Sequence, residues 1–119
     1  YMASFQSIGD TTMITLSHVA SIFVPSTVDI DSQVDNAEIV TSILAELSNE
    51  FGGASSTNVK GAWLSDTAGL VVEEITRIFC YGENRDNLFS AFVNLAERIK
   101  TDMSQDSVLI DVDNVGYLV

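Results

Sequence analysis

The chain has 119 residues, of which 46% are hydrophobic and 18% charged, too apolar for intrinsic disorder and too interrupted for a membrane span of roughly 20 apolar residues. Seventeen acidic against five basic residues give a net charge of −12, which argues against direct binding to nucleic acid or anionic lipid, because a phosphate-binding surface needs clustered Lys and Arg. The single Cys80 cannot form an intrachain disulfide and excludes a cysteine-only zinc site, so a reducing compartment is expected, and without a basic, then apolar, leader the expected location is cytoplasmic.

Residues Tyr1 to Thr12 are small, polar and aperiodic. They read as a disordered or cloning-derived segment, 1–12, ahead of a single domain, 13–119. Met13 to Val24 is rich in β-branched and aromatic residues and ends at Pro25-Ser26, the pattern of a first strand with apolar groups on both faces. Asp35-Asn36-Ala37-Glu38 has the form of a capping box, with Asp35 accepting from the backbone of Glu38. Val40, Ile43, Leu44, Leu47 and Phe51 follow at offsets of 3, 4, 7 and 11, a helical stripe that Gly52-Gly53 closes with a left-handed stop.

Val59 to Leu64 and Leu70 to Tyr81 read as strands joined by the five-residue loop Ser65 to Gly69, a hairpin with Leu64 opposite Leu70, Trp63 opposite Val71 and Gly61 opposite Glu73. Gly82-Glu83-Asn84 breaks the strand. Leu88, Phe92, Leu95, Ile99 and Met103 then mark a second amphipathic helix, with Asn84 or Asp86 as its cap. Val108 to Val112, a turn at Asp113-Asn114, and Val115 to Val119 give a last strand with an extension.

The order β-α-β-β-α-β predicts an α+β domain of the ferredoxin-like kind, a four-stranded antiparallel sheet with both helices on one face. Two helices cover only one side of such a sheet. The strands nonetheless carry apolar residues on both, which predicts a homodimer through the open sheet face.

Few residues offer chemistry. His18 is the only histidine, and no second titratable group beside it in sequence marks it as an acid–base residue, so it reads as a structural strand histidine. Asp111 and Asp113 share a strand face, but Glu73 could join them as metal ligands only if their strands were adjacent, which a split βαβ sheet forbids; no metal or cofactor is expected. Cys80 reads as a small buried hydrophobe. Trp63, Glu73, Phe79 and Tyr81 are the candidates for ligand or partner binding. The indole N–H of Trp63 lies within diagonal reach of the Glu73 carboxylate, which needs a partner on an otherwise apolar face; the alternative is that Glu73 points to solvent and Trp63 is plain core.

The run FVPST, the helix ending in Phe51-Gly52-Gly53, then Gly61-Ala62-Trp63, then Gly69-Leu70-Val71 with Glu73 together resemble small plasmid- and phage-borne prokaryotic α+β proteins of a domain-of-unknown-function family, with an FGG…GxW…GLVxE order. The resemblance covers roughly Phe23 to Arg77. It implies a βαββαβ-type domain encoded on a mobile element, and carries no activity with it.

These features together read as a small acidic protein-interaction protein without enzymatic activity. Its concrete form is a mobile-element-encoded inhibitor of a nucleic-acid-binding host protein, its acidity matched to a partner with a basic surface. The alternative is a small-molecule binding protein or enzyme of the dimeric α+β barrel type. In that alternative an apolar ligand lies in the cleft between sheet and helices near Trp63, Phe79 and Tyr81, with His18 as the acid–base group.

Overall fold

The computed structural model describes residues 4–9, 11–27 and 34–119. The segment expected to lack structure and the start of the expected first strand instead pair with each other. Strands β1 (Ser4–Ile8) and β2 (Thr11–Thr15) form an antiparallel hairpin of their own. Leu16-Ser17 interrupts the run, and β3 (His18–Pro25) enters the main sheet.

Helix α1 (Ala37–Phe51) begins one residue later than a cap at Asp35 requires. Asp35 Oδ1 accepts from the backbone of Ala37 at 2.9 Å, not from Glu38, and Asn36 occupies the cap position without a side-chain cap bond. At the other end Gly52 takes φ 93° and returns its N–H to the Ser48 carbonyl, the left-handed stop that a side chain would strain. The hairpin of β4 (Ser55–Ser65) and β5 (Gly69–Gly82) has the register read from the sequence, Leu64 opposite Leu70 and Gly61 opposite Glu73, with both strands longer than expected. Helix α2 (Arg85–Asp102) is capped by Asn84, whose side chain accepts from the Asn87 N–H. Strand β6 (Leu109–Val112) turns through Asp113 and Asn114, at φ 52° and 67°, into β7 (Val115–Leu118). Two successive positive φ angles match the twist of a tight hairpin, and Asp and Asn tolerate them best after Gly.

The sheet therefore has five strands in place of the expected four, in the order β4-β5-β3-β6-β7, every neighbouring pair antiparallel. Alternate residues of its three middle strands (Ala20, Ile22 and Val24; Ile78 and Cys80; Ile110 and Val112) join Ile43 and Leu47 of α1 and Leu88, Phe92 and Ile99 of α2 in one buried cluster. The space between sheet and helices is thus packed core. Among the described residues this packing fills the location expected for an apolar ligand in the α+β barrel alternative.

His18 sits on this helix-facing side at the start of β3. Its Nδ1 donates to Asp113 Oδ2 at 2.7 Å, while Asp113 Oδ1 accepts from the Val19 N–H at 3.0 Å. The β6–β7 turn is so fastened to β3 across 95 residues of sequence. The titratable partner that no local pattern marked is supplied by the turn, and the imidazole serves as a strut. The hydrogen bonds from His18 and then from the Val19 N–H hold the Asp113 carboxyl below its ordinary value of 3.8. A carboxyl depressed in the folded state stabilises the fold above the unfolded pKa, and that contribution is lost as pH falls through the folded value. Thermal unfolding followed between pH 7 and pH 2.5 is expected to show the wild type losing midpoint temperature more steeply below about pH 4 than Asp113→Asn, which lacks the titrating group.

Candidate functional site

The sheet face turned away from the helices is where the remaining chemistry collects. β5 pairs with β3 only from Ile75 to Gly82, so Gly69 to Glu74 run beyond β3 and pair with β4 alone. Six residues at about 3.3 Å each make an arm of roughly 20 Å. At its far end Leu64, Leu70 and Val72 are exposed, and Trp63 is 44% exposed.

At the root of the arm lies a cavity of about 480 Å³, lined among others by Phe23, Trp63, Glu73, Ile75, Gln105 and Leu118. A small ligand fits a space of that size. Its floor depends on Gly61, because a Cβ there would collide with Ile75 Cδ1. Glu73 is the one acidic residue of the lining. Its Oε2 accepts from the Thr27 hydroxyl at 2.9 Å, and Thr27 and Gln105 are joined in turn, Gln105 Nε2 donating to the Thr27 carbonyl at 2.7 Å. The site therefore presents a half-buried carboxylate in a lining that also holds Phe23, Trp63 and Lys60, whose ammonium stands 3.8 Å from Glu74, an arrangement that can take an organic cation with apolar bulk.

The structure brings Trp63 and Glu73 to this cavity and leaves the other expected residues outside it. Phe79 and Tyr81 lie on the same face toward the opposite end, in an edge-to-face pair with centroids 6.5 Å apart. The Arg77 guanidinium stacks 4.4 Å over Phe79, and its Nε donates to the buried Ser21 hydroxyl at 3.0 Å. That makes a packed aromatic–cation layer, with the cation held by its neighbours. His18 is on the other side of the sheet. β3 separates β5 from β6, so Glu73 and Asp111 are not on neighbouring strands. Burial, and after it the charge of Glu50, pushes the Cys80 thiol up to about 12, which keeps it protonated and unreactive. Phe23 and Thr27 entered the sequence analysis only as members of the FVPST run, with no site role, and Gln105 went unmarked. Each lies dozens of residues from Glu73, and no spacing rule connects them.

No family model matches the chain, and no curated protein sequence matches it. Solved structures similar to it include two of a phage enzyme. One is a phage SAM lyase in complex with S-methyl-5′-thioadenosine, with a TM-score of 0.69 and 18% sequence identity, covering 86% of this chain and 88% of that one. The other is a phage SAM lyase in the apo state, with a TM-score of 0.67 and 20% identity, covering 86% and 87%. At these identities the likeness is one of fold. It nonetheless corrects the reading of the chain as a non-enzymatic inhibitor, since these two structures, alike in fold over 86% of the chain, are those of an enzyme and point that way.

The hydrogen bond from Thr27 also replaces the expected bond from Trp63 to Glu73. A half-exposed indole with a carboxylate already served by another donor couples weakly to it. In a double-mutant cycle of Trp63→Phe and Glu73→Gln read by urea unfolding, the interaction energy is expected to stay below about 0.5 kcal/mol, the scatter of additive sites.

Proposed function

We propose that this protein is an S-adenosylmethionine (SAM) lyase, cleaving that sulfonium compound to S-methyl-5′-thioadenosine. The observation that carries the reading is the Glu73 carboxylate in an otherwise largely apolar, aromatic-flanked cavity, in a fold that matches a phage SAM lyase over 86% of the chain. A sulfonium cation attached to an adenosyl group needs an anion near its charge and aromatic faces for its bulk, and Glu73, Phe23 and Trp63 supply both. A net charge of −12 adds a long-range field that draws cations and repels polyanions. We further read β4, β5, β3 and β6 with the two helices as a ferredoxin-like unit to which β7 is appended.

The chemistry asks little of the protein beyond positioning. The bond from Cγ to sulfur breaks with its electron pair passing to sulfur, which becomes a neutral thioether. An oxygen of the substrate's own carboxylate forms the new bond to Cγ, closing a five-membered lactone that keeps the α-ammonium. The net charge is +1 on each side, the sulfonium and carboxylate charges cancelling as the new bond forms, and no proton moves. Ring closure requires the aminoacyl chain to be folded onto itself, and a fixed carboxylate that accepts from the α-ammonium would hold it so.

Self-association through the open sheet face remains part of the proposal, since Trp63 and the arm beside the cavity would then be covered. Light scattering at micromolar concentration is expected to give the mass of a dimer, and a strict monomer would count against it. For the activity, purified protein incubated with S-adenosylmethionine is expected to release S-methyl-5′-thioadenosine, resolved by liquid chromatography. Glu73→Gln is expected to lower the rate at least about a hundredfold. No thioadenosine above the uncatalysed background would refute the assignment.

A further inference from the structure

From the contacts around Glu73 we infer that Thr27 is a positioning residue, fixing the Glu73 carboxylate for a cationic ligand in the cavity; its catalytic consequence rests on the lyase reading above. β3 ends at Pro25, opposite Ile75, so Glu73 stands just past the last strand neighbour on that side. The chain leaving β3 runs alongside it and provides what a strand would not, a side-chain donor. Thr27 Oγ1 donates to Glu73 Oε2 at 2.9 Å.

Thr27 is itself tied on both sides. Its carbonyl accepts from Gln105 Nε2 at 2.7 Å, and that amide also donates to the Met103 carbonyl at 3.1 Å, at the end of α2. The preceding residue, Ser26, donates through its hydroxyl to the Glu74 carbonyl and accepts from the Val34 N–H at 2.8 Å. A hydroxyl so anchored selects one orientation of a glutamate with three rotatable bonds, and it engages one oxygen of the carboxylate while the acceptor capacity of the other serves a ligand. Preorganisation of this kind raises affinity and rate by removing ordering costs at binding, without adding a contact to the ligand.

The test uses protein labelled with ¹³C at glutamate Cδ, the Glu73 resonance being identified by its loss in Glu73→Gln. Thr27→Val, nearly isosteric but without the hydroxyl, is expected to move that resonance, and Thr27→Ser to leave it in place. In turnover of S-adenosylmethionine, Thr27→Val is expected to lower kcat/KM by about tenfold, the worth of a hydrogen bond to a charged group, while Thr27→Ser stays within about twofold of wild type. Restoration by serine separates positioning from a loss of packing. Circular dichroism checks that each variant is folded, and Thr27→Ala carries the same expectations should Thr27→Val fail to fold. A Glu73 resonance indifferent to loss of the Thr27 hydroxyl, or full turnover without it, overturns the proposal. Wild-type protein that leaves S-adenosylmethionine intact overturns the lyase reading instead, and the resonance then decides by itself whether Thr27 holds Glu73.

Discussion

Two helices cannot cover both sides of a five-stranded sheet, and the rest of the molecule follows from that shortage. Both are spent on one face, where Phe92, Ile43 and Leu47 are buried in one cluster with Ile22, Ile78 and Ile110. The opposite face must manage its apolar residues without a covering layer. Its middle does so by self-packing, with Arg77 laid over Phe79, anchored on Ser21, and Tyr81 set edge-on. A guanidinium is suited to the task because it is weakly hydrated, and its planar face rests on an aromatic ring while its N–H groups still find acceptors.

Toward the arm this solution gives way to a cavity, because β3 ends while β4 and β5 continue. The missing strand leaves room, and Gly61 deepens it by letting Ile75 lie across the sheet. A carboxylate in that place would be costly if orphaned. The chain leaving β3 offsets the cost by turning Thr27 onto it. The proposed binding feature and the feature that offsets this cost are thus one hydrogen bond. Truncating either partner is felt in both fold and site, which is why conservative replacements are needed to separate the two.

The parts of the fold that depend on local pattern were readable. The α1 stripe, the Gly52 stop, the Asn84 cap and the register of the β4–β5 hairpin all arise from periodicity or turn length within a few residues, and each was legible in the sequence. Strand count was less so. Val115 to Val119 carried the right composition for a strand, but whether it pairs depends on the positive φ angles of Asp113 and Asn114, which Asp-Asn permits without requiring. The division of the first strand at Leu16-Ser17 has no breaker residue to announce it. The site was legible in Trp63 and Glu73, since a lone carboxylate on an apolar face stands out, and illegible in Thr27, an ordinary loop threonine until the sheet brings it to Glu73 across 46 positions. His18 shows the same limit from the other side: its isolation in sequence suggested a structural role, and the partner that gives it that role is 95 residues away.

The distribution of charge connects these local arrangements to the long-range field. Arg98 bridges α2 to α1 through a forked contact with Glu46, 2.7 Å at its shorter arm. Arg85 reaches the Tyr117 hydroxyl at 3.1 Å and lies over Phe89, and Lys60 stands 3.8 Å from Glu74 across the arm. Exposed pairs of this kind contribute little stability each, about 0–1 kcal/mol. Their larger effect is on what is left over, because with four of the five cations (Lys60, Arg77, Arg85 and Arg98) committed to neighbours, the excess carboxylates set the potential outside the molecule. That excess favours a cationic over an anionic ligand, as the proposed function requires. On the lyase reading, global acidity and the fixed orientation of Glu73 would act at different ranges on the same ligand, the first on its local concentration and the second on its geometry.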